Sequence, residues 1–397
     1  DGPKTNAGSP APAEASKTAD VNAELSQWFE AKFMENARTR PQTLAALGIK
    51  ERMDEWNDPS RTFELEQLET ARENIAELRA NFNRDDLSPA MQISYDLFIK
   101  NAEDNLAGDK WHLYRYPFNQ MGGVQSGIPT FLLNQHKIDT EADALAYVAR
   151  LNGVKAFLGQ IVENARASAE AGITPPKYVH AHVLRDIDNV LSGLPLDEDS
   201  DDLNLLMNDF QTKVKKLGLS ADKEAELFEA AGTALLTSVG PAYEDLAAFI
   251  KTQQATATTD DGAWKHPDGA DFYQYRLNMM TTTDMTASEI HDLGLREVAR
   301  IHGEMRDIMK SVGFDGTLQE FFIYLKTDPQ FTYEDSEAGR EAYLTEATRI
   351  IDVMKTRLDD VFIKKPKAAL EVRRVEAFRE KSAGKAFYSR PAPDGAR

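Results

Sequence analysis

The chain has 397 residues and no cysteine, with 46 Lys and Arg against 65 Asp and Glu, a net charge of −19. That field disfavours nucleic acid and anionic membrane surfaces, both of which need clustered positive charge. Without cysteine there is no disulfide, thiolate metal site or thiol nucleophile. A hydrophobic content of 42% supplies a substantial core, yet no stretch approaches the ~18 uninterrupted apolar residues of a transmembrane segment.

Residues 1–20 are rich in Ala, Pro, Ser and Thr and carry no large apolar side chain. Such a segment buries too little surface to offset its ordering entropy, so it reads as a disordered tail. Two origins are open for it: the tether of an exported lipoprotein, or a plain linker.

From Val21 onward the pattern is a succession of amphipathic helices, and residues 21–397 are expected to form one mainly all-α, multi-helix body. Leu25, Trp28, Phe29 and Phe33 start the first helix, and Phe63, Leu68, Ile75, Leu78 and Phe82 mark another. Ser88-Pro89 pairs a cap with proline at the first helical position. Thr140 and Asp143 form a capping pair opening a helix through Leu145, Val148, Leu151, Leu158 and Ile161. Pro175-Pro176 open the next. His180 and His182 on it fall on nearly opposite faces, which argues against chelation. The acidic run 197–202 lacks a calcium-loop spacing and reads as a charged cap for the helix that begins near Leu203. A helical pattern from Ala221 to Ile250 is interrupted at Gly240-Pro241.

Polar residues 252–261 read as a surface loop, making 252–268 a candidate boundary between two lobes. Thr286 to Val312 is the best-specified helix of the chain. Thr286 and Glu289 make a capping box, Ile290, Leu293, Val298, Ile301, Met305, Ile308 and Val312 recur at helical spacing, and Gly313 sits where a left-handed C-cap falls. A stripe this long is expected to serve as the covered spine of the body. Its two histidines, His291 and His302, lie roughly 16 Å apart along the axis and cannot share one metal ion. Thr317 and Glu320 repeat the capping box, and a further helix spans 336–362.

Two places break the helical pattern. Residues 111–123 (W-H-L-Y-R-Y-P-F-N-Q-M-G-G) are aromatic and then glycine-rich, with a short strand expected near 111–116. Short strands are also expected within 370–389. The first segment carries the strongest chemistry: Arg115 as a carboxylate binder, Asn119 and Gln120 as short bidentate hydrogen-bonders, and Gly122-Gly123 allowing close backbone approach. Tyr388 and Arg390, in the second extended run, could hydrogen-bond a peptide as an added strand. These five residues are the expected substrate-binding set. No nucleophile elbow, H-E-x-x-H, phosphate loop or EF-hand loop is present, so no catalytic or metal-binding residue is assigned.

The run R-Y-P-F-N-Q-M-G-G-V-Q-S-G-I-P-T-F-L from Arg115, with D-A-L-A-Y-V-A-R-L from Asp143, resembles the bacterial domain of unknown function 885 family. So do G-A-D-F-Y-Q-Y-R-L from Gly269, T-T-T-D-M-T-A-S-E-I-H-D-L-G-L-R-E-V from Thr281, G-F-D-G-T-L-Q-E-F from Gly313 and A-F-Y-S-R-P-A-P-D-G-A-R from Ala386. The resemblance implies a helical, zinc metallopeptidase-like exported protein whose metal and general-base motif, of the H-E-x-x-P-G-H-H type, lies C-terminal to Arg397. It implies a periplasmic or lipid-anchored location, a peptide substrate, a zinc cofactor in the complete protein, and the chain's own C-terminal portion as its partner. On this reading the chain is the truncated or nicked N-terminal part of a hydrolase and inactive alone. The alternative is a non-catalytic helical binding or scaffold protein of the periplasm.

Overall fold

A computed structural model describes residues 12–363 (side chains from residue 18), 365, 368–376, 380 and 386–388. It is 70% helical, and the described residues contain no sheet, only an isolated bridge between Leu194 and Leu203. The strand expected at 111–116 is instead a 3-10 turn, Asp109–Trp111, running into irregular backbone. Residues 370–376 and 386–388 follow no regular element, because no neighbouring strand among the described residues satisfies their backbone. The rest of the expected 385–389 run lies outside the described residues. Two compact units divide between Pro267 and Asp268.

The first unit holds α1 (Pro12–Arg38), α2 (Pro41–Ala46), α3 (Arg61–Asn81), α4 (Pro89–Gly108), α5 (Val124–Asn134), α6 (Glu141–Glu170), α7 (Lys177–Leu191), α8 (Leu205–Lys215), α9 (Ala221–Ala234) and α10 (Gly240–Thr256). α1 begins at Pro12, inside the stretch read as a tail, while residues 1–11 of that stretch lie outside the described residues. A π-helical turn at Leu235–Val239 joins α9 to α10, with Gly240-Pro241 as the first residues of the new helix rather than a gap.

α6 is the axis of this unit. The Thr140–Asp143 capping box starts it, and Ala144, Tyr147, Val148, Leu151, Val154, Leu158, Ile161 and Val162 are all buried along it. Burying each large aliphatic side chain contributes about 1.5–3 kcal/mol. The stripe packs under α9, the π turn and α10, while Val179, Val183, Ile187 and Val190 of α7 lie against α10 and complete the same core. A separate cluster of Leu25, Leu78, Phe82, Leu87 and Tyr95 ties α1, α3 and α4 together.

Helix ends are satisfied by side chains from elsewhere. Asn204, fully buried, accepts from Leu206 N at 3.0 Å as the cap of α8 and donates to the carbonyls of Val190 (2.8 Å) and Ser192 (2.9 Å) at the end of α7. The acidic run 197–202 therefore precedes the helix without capping it. Lys213 donates to the carbonyls of Leu132, Leu133 and His136 within 3.1 Å, neutralising the C-terminal end of α5.

The second unit holds α11 (Gly269–Thr281), α12 (Ala287–Ser311), α13 (Leu318–Thr327) and α14 (Glu337–Lys355). Both expected capping boxes form: Thr286 N donates to Glu289 at 2.8 Å and Thr317 N to Glu320 at 2.7 Å. Gly313 takes the left-handed φ of 70° expected of it, and Phe314 N reaches back to the Met309 carbonyl at 3.0 Å. Phe314, Phe321, Tyr324 and Phe331 form a ring cluster in which Phe321 is buried, and Met309 of α12 is buried as well. The expectation that α12 is a covered spine is corrected here. Met309 alone among its side chains is buried, and Leu295, Val298, Ile308 and Val312 are each about half exposed or more.

Candidate functional site

The irregular segment 111–123 is held from three sides of the first unit. Trp111 is buried and meets Tyr114 edge to face at 4.9 Å. The Tyr114 hydroxyl donates to the Pro267 carbonyl, and the Tyr116 hydroxyl is hydrogen-bonded to His266 Nε2. Burial pushes the Tyr116 hydroxyl up to about 12 and lowers His266, so both are neutral near pH 7.

Asn119 holds the turn that follows. Its side-chain amide donates to the Tyr116 carbonyl at 2.9 Å, its side-chain oxygen accepts from Met121 N at 2.9 Å, and its own carbonyl accepts from Gln125 Nε2 at 2.6 Å. Gln125, fully buried, also donates to Asp186 at 3.1 Å. Gly123 has no space for a side chain: a Cβ there would lie 2.5 Å from the Asn119 backbone nitrogen. Pro129 inside α5 cannot donate to the Gln125 carbonyl one turn back. The Tyr243 hydroxyl supplies that missing donor at 2.8 Å.

The expected substrate set is thus partly assembled. Arg115, Asn119 and Gln120 share this one loop. Arg115 is exposed, but its guanidinium holds Glu64 of α3 at 2.5 Å, so the carboxylate it binds is the protein's own. Arg61 reaches the same carboxylate at 2.7 Å. Burial works against ionising Glu64, but Arg61 and Arg115 outweigh it and hold the group below the usual carboxylate range. Asn119 spends both ends of its amide on the loop itself. Gln120 has the weakest tie, 3.5 Å to the Tyr178 hydroxyl, which leaves it the most available of the three. Tyr388 is exposed and belongs to the second unit, and Arg390 lies outside the described residues.

Beneath the loop lies a cavity of about 30 Å³, roofed by Arg115, Tyr116, Pro117 and Phe118 and walled by α6, α7 and α10. His180, 1% exposed, lines it, and its Nε2 makes no hydrogen bond within the protein. Sequence reasoning weighed this histidine only as a chelator. The available signal was its place in the first turn after Pro175-Pro176, beside the buried face of Val179 and Val183. Among the described residues no three His, Asp or Glu side chains gather closely enough to hold a metal ion, so zinc finds no donor set there. No helix among them is long and apolar enough to cross a membrane.

No curated protein matches the chain. Among solved structures it is similar to a putative lipoprotein from Colwellia psychrerythraea, at 22% identity and a TM-score of 0.81 over 95% of this chain. It is also similar to a putative lipoprotein of unknown function from Shewanella oneidensis, at 16% identity and a TM-score of 0.59 over 93% of this chain. At these identities the likeness concerns the fold alone. The chain spans 66% and 62% of the length of those two proteins. The sequence also matches a bacterial family over residues 41–397, nine tenths of the chain, and by that match the protein belongs to the family described as bacterial protein of unknown function (DUF885).

Proposed function

We propose that this chain is the helical N-terminal part of an exported, zinc metallopeptidase-like protein acting on peptides, with the metal held by residues outside it. The loop 111–123 would form part of the wall of the peptide cleft, with Gln120 as its freest hydrogen-bonding side chain. The observation that carries the expectation of a further, covering portion is the set of apolar side chains left uncovered on helices of the second unit, while the peptidase class follows from the family resemblance. Leu295, Val298, Ile308 and Val312 of α12 are exposed, and so are Ile350, Val353 and Met354 of α14. An amphipathic helix stripe of this size calls for a covering partner. The solved proteins of this fold carry about half as much chain again. Export and a lipid anchor are supported by the description of both relatives as putative lipoproteins.

The test compares the product of the complete gene with the 397-residue chain. The complete product is expected to hold stoichiometric zinc by elemental analysis, to cleave peptides, and to lose cleavage on chelation. The 397-residue chain is expected to do neither and to bind an environment-sensitive hydrophobic dye several-fold more strongly. A complete product that is metal-free and inactive would instead support the non-catalytic scaffold. A monodisperse chain that ignores the dye would remove the argument from the uncovered side chains.

A further inference from the structure

His180 and Ser168 are the two buried polar side chains of a largely apolar pocket. His180 Nδ1 lies 3.2 Å from the Lys177 carbonyl, which can only accept, so that nitrogen carries the ring proton. Nε2 is then a bare lone pair, buried and without a partner. Around it Phe118, Ile173, Pro175, Phe249 and Ile250 present carbon. Ser168, the other polar side chain deep in the wall, donates its hydroxyl proton to the Asn164 carbonyl at 3.2 Å and so can only accept from the cavity. Anions are refused at depth, because neither group donates and the Arg115 guanidinium at the rim is taken by Glu64. Cations are refused as well: Lys265 is close enough to depress the His180 imidazole alongside burial, and Arg115 stands at the rim. A volume of 30 Å³ exceeds the ~10–15 Å³ that one water needs and falls far short of the ~150 Å³ that holds benzene, so it takes a molecule of a few heavy atoms and excludes an aromatic ring.

We propose that this cavity binds a hydroxymethyl group, an O–H donor carried on one or two carbons, with the hydroxyl donating to His180 Nε2 and the carbon against Phe118, Ile173 and Phe249. The group can come from a free small alcohol or from the side chain of a serine residue. Apolar walls favour it over a resident water, since each buried CH₂ raises affinity roughly fourfold. Ethanol should therefore bind about four times as tightly as methanol.

The test uses the intact chain labelled with ¹⁵N-histidine, in which His180 is one of seven imidazoles. Long-range ¹H–¹⁵N spectra identify its Nε2 by the signal lost in His180→Gln. Ethanol and N-acetylserinamide are titrated in, with dimethyl ether and N-acetylalaninamide as partners lacking the hydroxyl. A saturable shift of His180 Nε2 to lower frequency with ethanol alone supports the pocket with a free alcohol as its ligand. The same shift with N-acetylserinamide supports it with a serine side chain. In Ala169→Val, which fills the wall while keeping His180 as reporter, the response should vanish with the other six imidazole signals unmoved. No saturable shift with either hydroxyl compound overturns the proposal. An equal shift with the ether or the alanine compound also overturns it, and would leave a displaced water as the partner of Nε2.

Discussion

Replacing Arg150 with methionine is expected to lower the unfolding free energy of the first unit by about 2–6 kcal/mol, because two close buried acceptors lose their donor at about 1–3 kcal/mol each. Arg150 is fully buried on α6, and its guanidinium lies 4.8 Å from the Phe131 ring. It donates to His136 Nδ1 at 2.8 Å and to the Glu55 carbonyl at 3.1 Å, with the Pro41 and Arg52 carbonyls at 3.5 Å, the outer limit of hydrogen bonding. Burial lowers its pKa to about 10, with Asp54 and Glu55 pulling the other way, so the group stays charged at neutral pH. Methionine fills a similar volume, so the loss comes from acceptors left unpaired, each costing about 1–3 kcal/mol. Lysine should not rescue it, because a single ammonium cannot span the positions that a planar fork reaches. Urea unfolding followed at Trp56 would measure the loss. That ring stacks on Phe157 at 5.0 Å and donates to the Arg150 carbonyl at 2.8 Å. A midpoint equivalent to less than 1 kcal/mol from the parent would show that the fork is dispensable.

The helix starts were legible because capping is local. Thr140 with Asp143, Thr286 with Glu289 and Thr317 with Glu320 each make their bonds within one turn. The role of a helix was less legible, because a stripe shows that a face is apolar and not what covers it. α12 has the cleanest stripe of the chain and leaves it largely exposed, whereas α6, interrupted by a buried arginine, is the true axis. What places Arg150 inside is a set of carbonyls nearly a hundred residues earlier in the chain. The same limit applies to the site. The irregular, glycine-flanked nature of 111–123 could be read from its residues, and Asn119 as a turn staple could have been, since Asn side chains commonly bond the backbone of their own turn. That Arg115 is already occupied by Glu64 could not, nor could a cavity assembled from the loop and three helices. Residues 370–376, with Leu370, Val372 and Val375, look strand-like locally but find among the described residues no neighbour of the kind a ladder needs.

Acidification is expected to destabilise the first unit through His136, and His136→Gln should flatten that dependence. His136 is 1% exposed, and its bonding fixes one neutral form: Nε2–H donates to the Asp143 carbonyl at 3.0 Å, and Nδ1 accepts from Arg150. A second proton would have to sit on Nδ1, facing the guanidinium. Burial first, and the Arg150 charge second, lower its pKa from 6.5 to about 3. The sign follows from proton counting. Above pH 6.5 neither the native nor the unfolded form holds the extra proton, so the native form keeps its full advantage. Between 6.5 and about 3 only the unfolded form takes it up, and stability falls with decreasing pH by up to about 1.4 kcal/mol per unit. From pH 6.5 to 4.5 the loss assigned to His136 is thus about 2–3 kcal/mol. Glutamine can donate and accept at similar positions without titrating there, so the difference between parent and His136→Gln cancels the carboxylates and the other histidines. Urea unfolding at pH 6.5, 5.5 and 4.5 should show the parent losing stability faster than the variant at each step. In the Arg150→Met background the gap should narrow, because the charge opposing protonation is gone. Parallel pH dependences for parent and His136→Gln would show that this histidine takes up its proton equally in both states, and the buried, neutral assignment would fall.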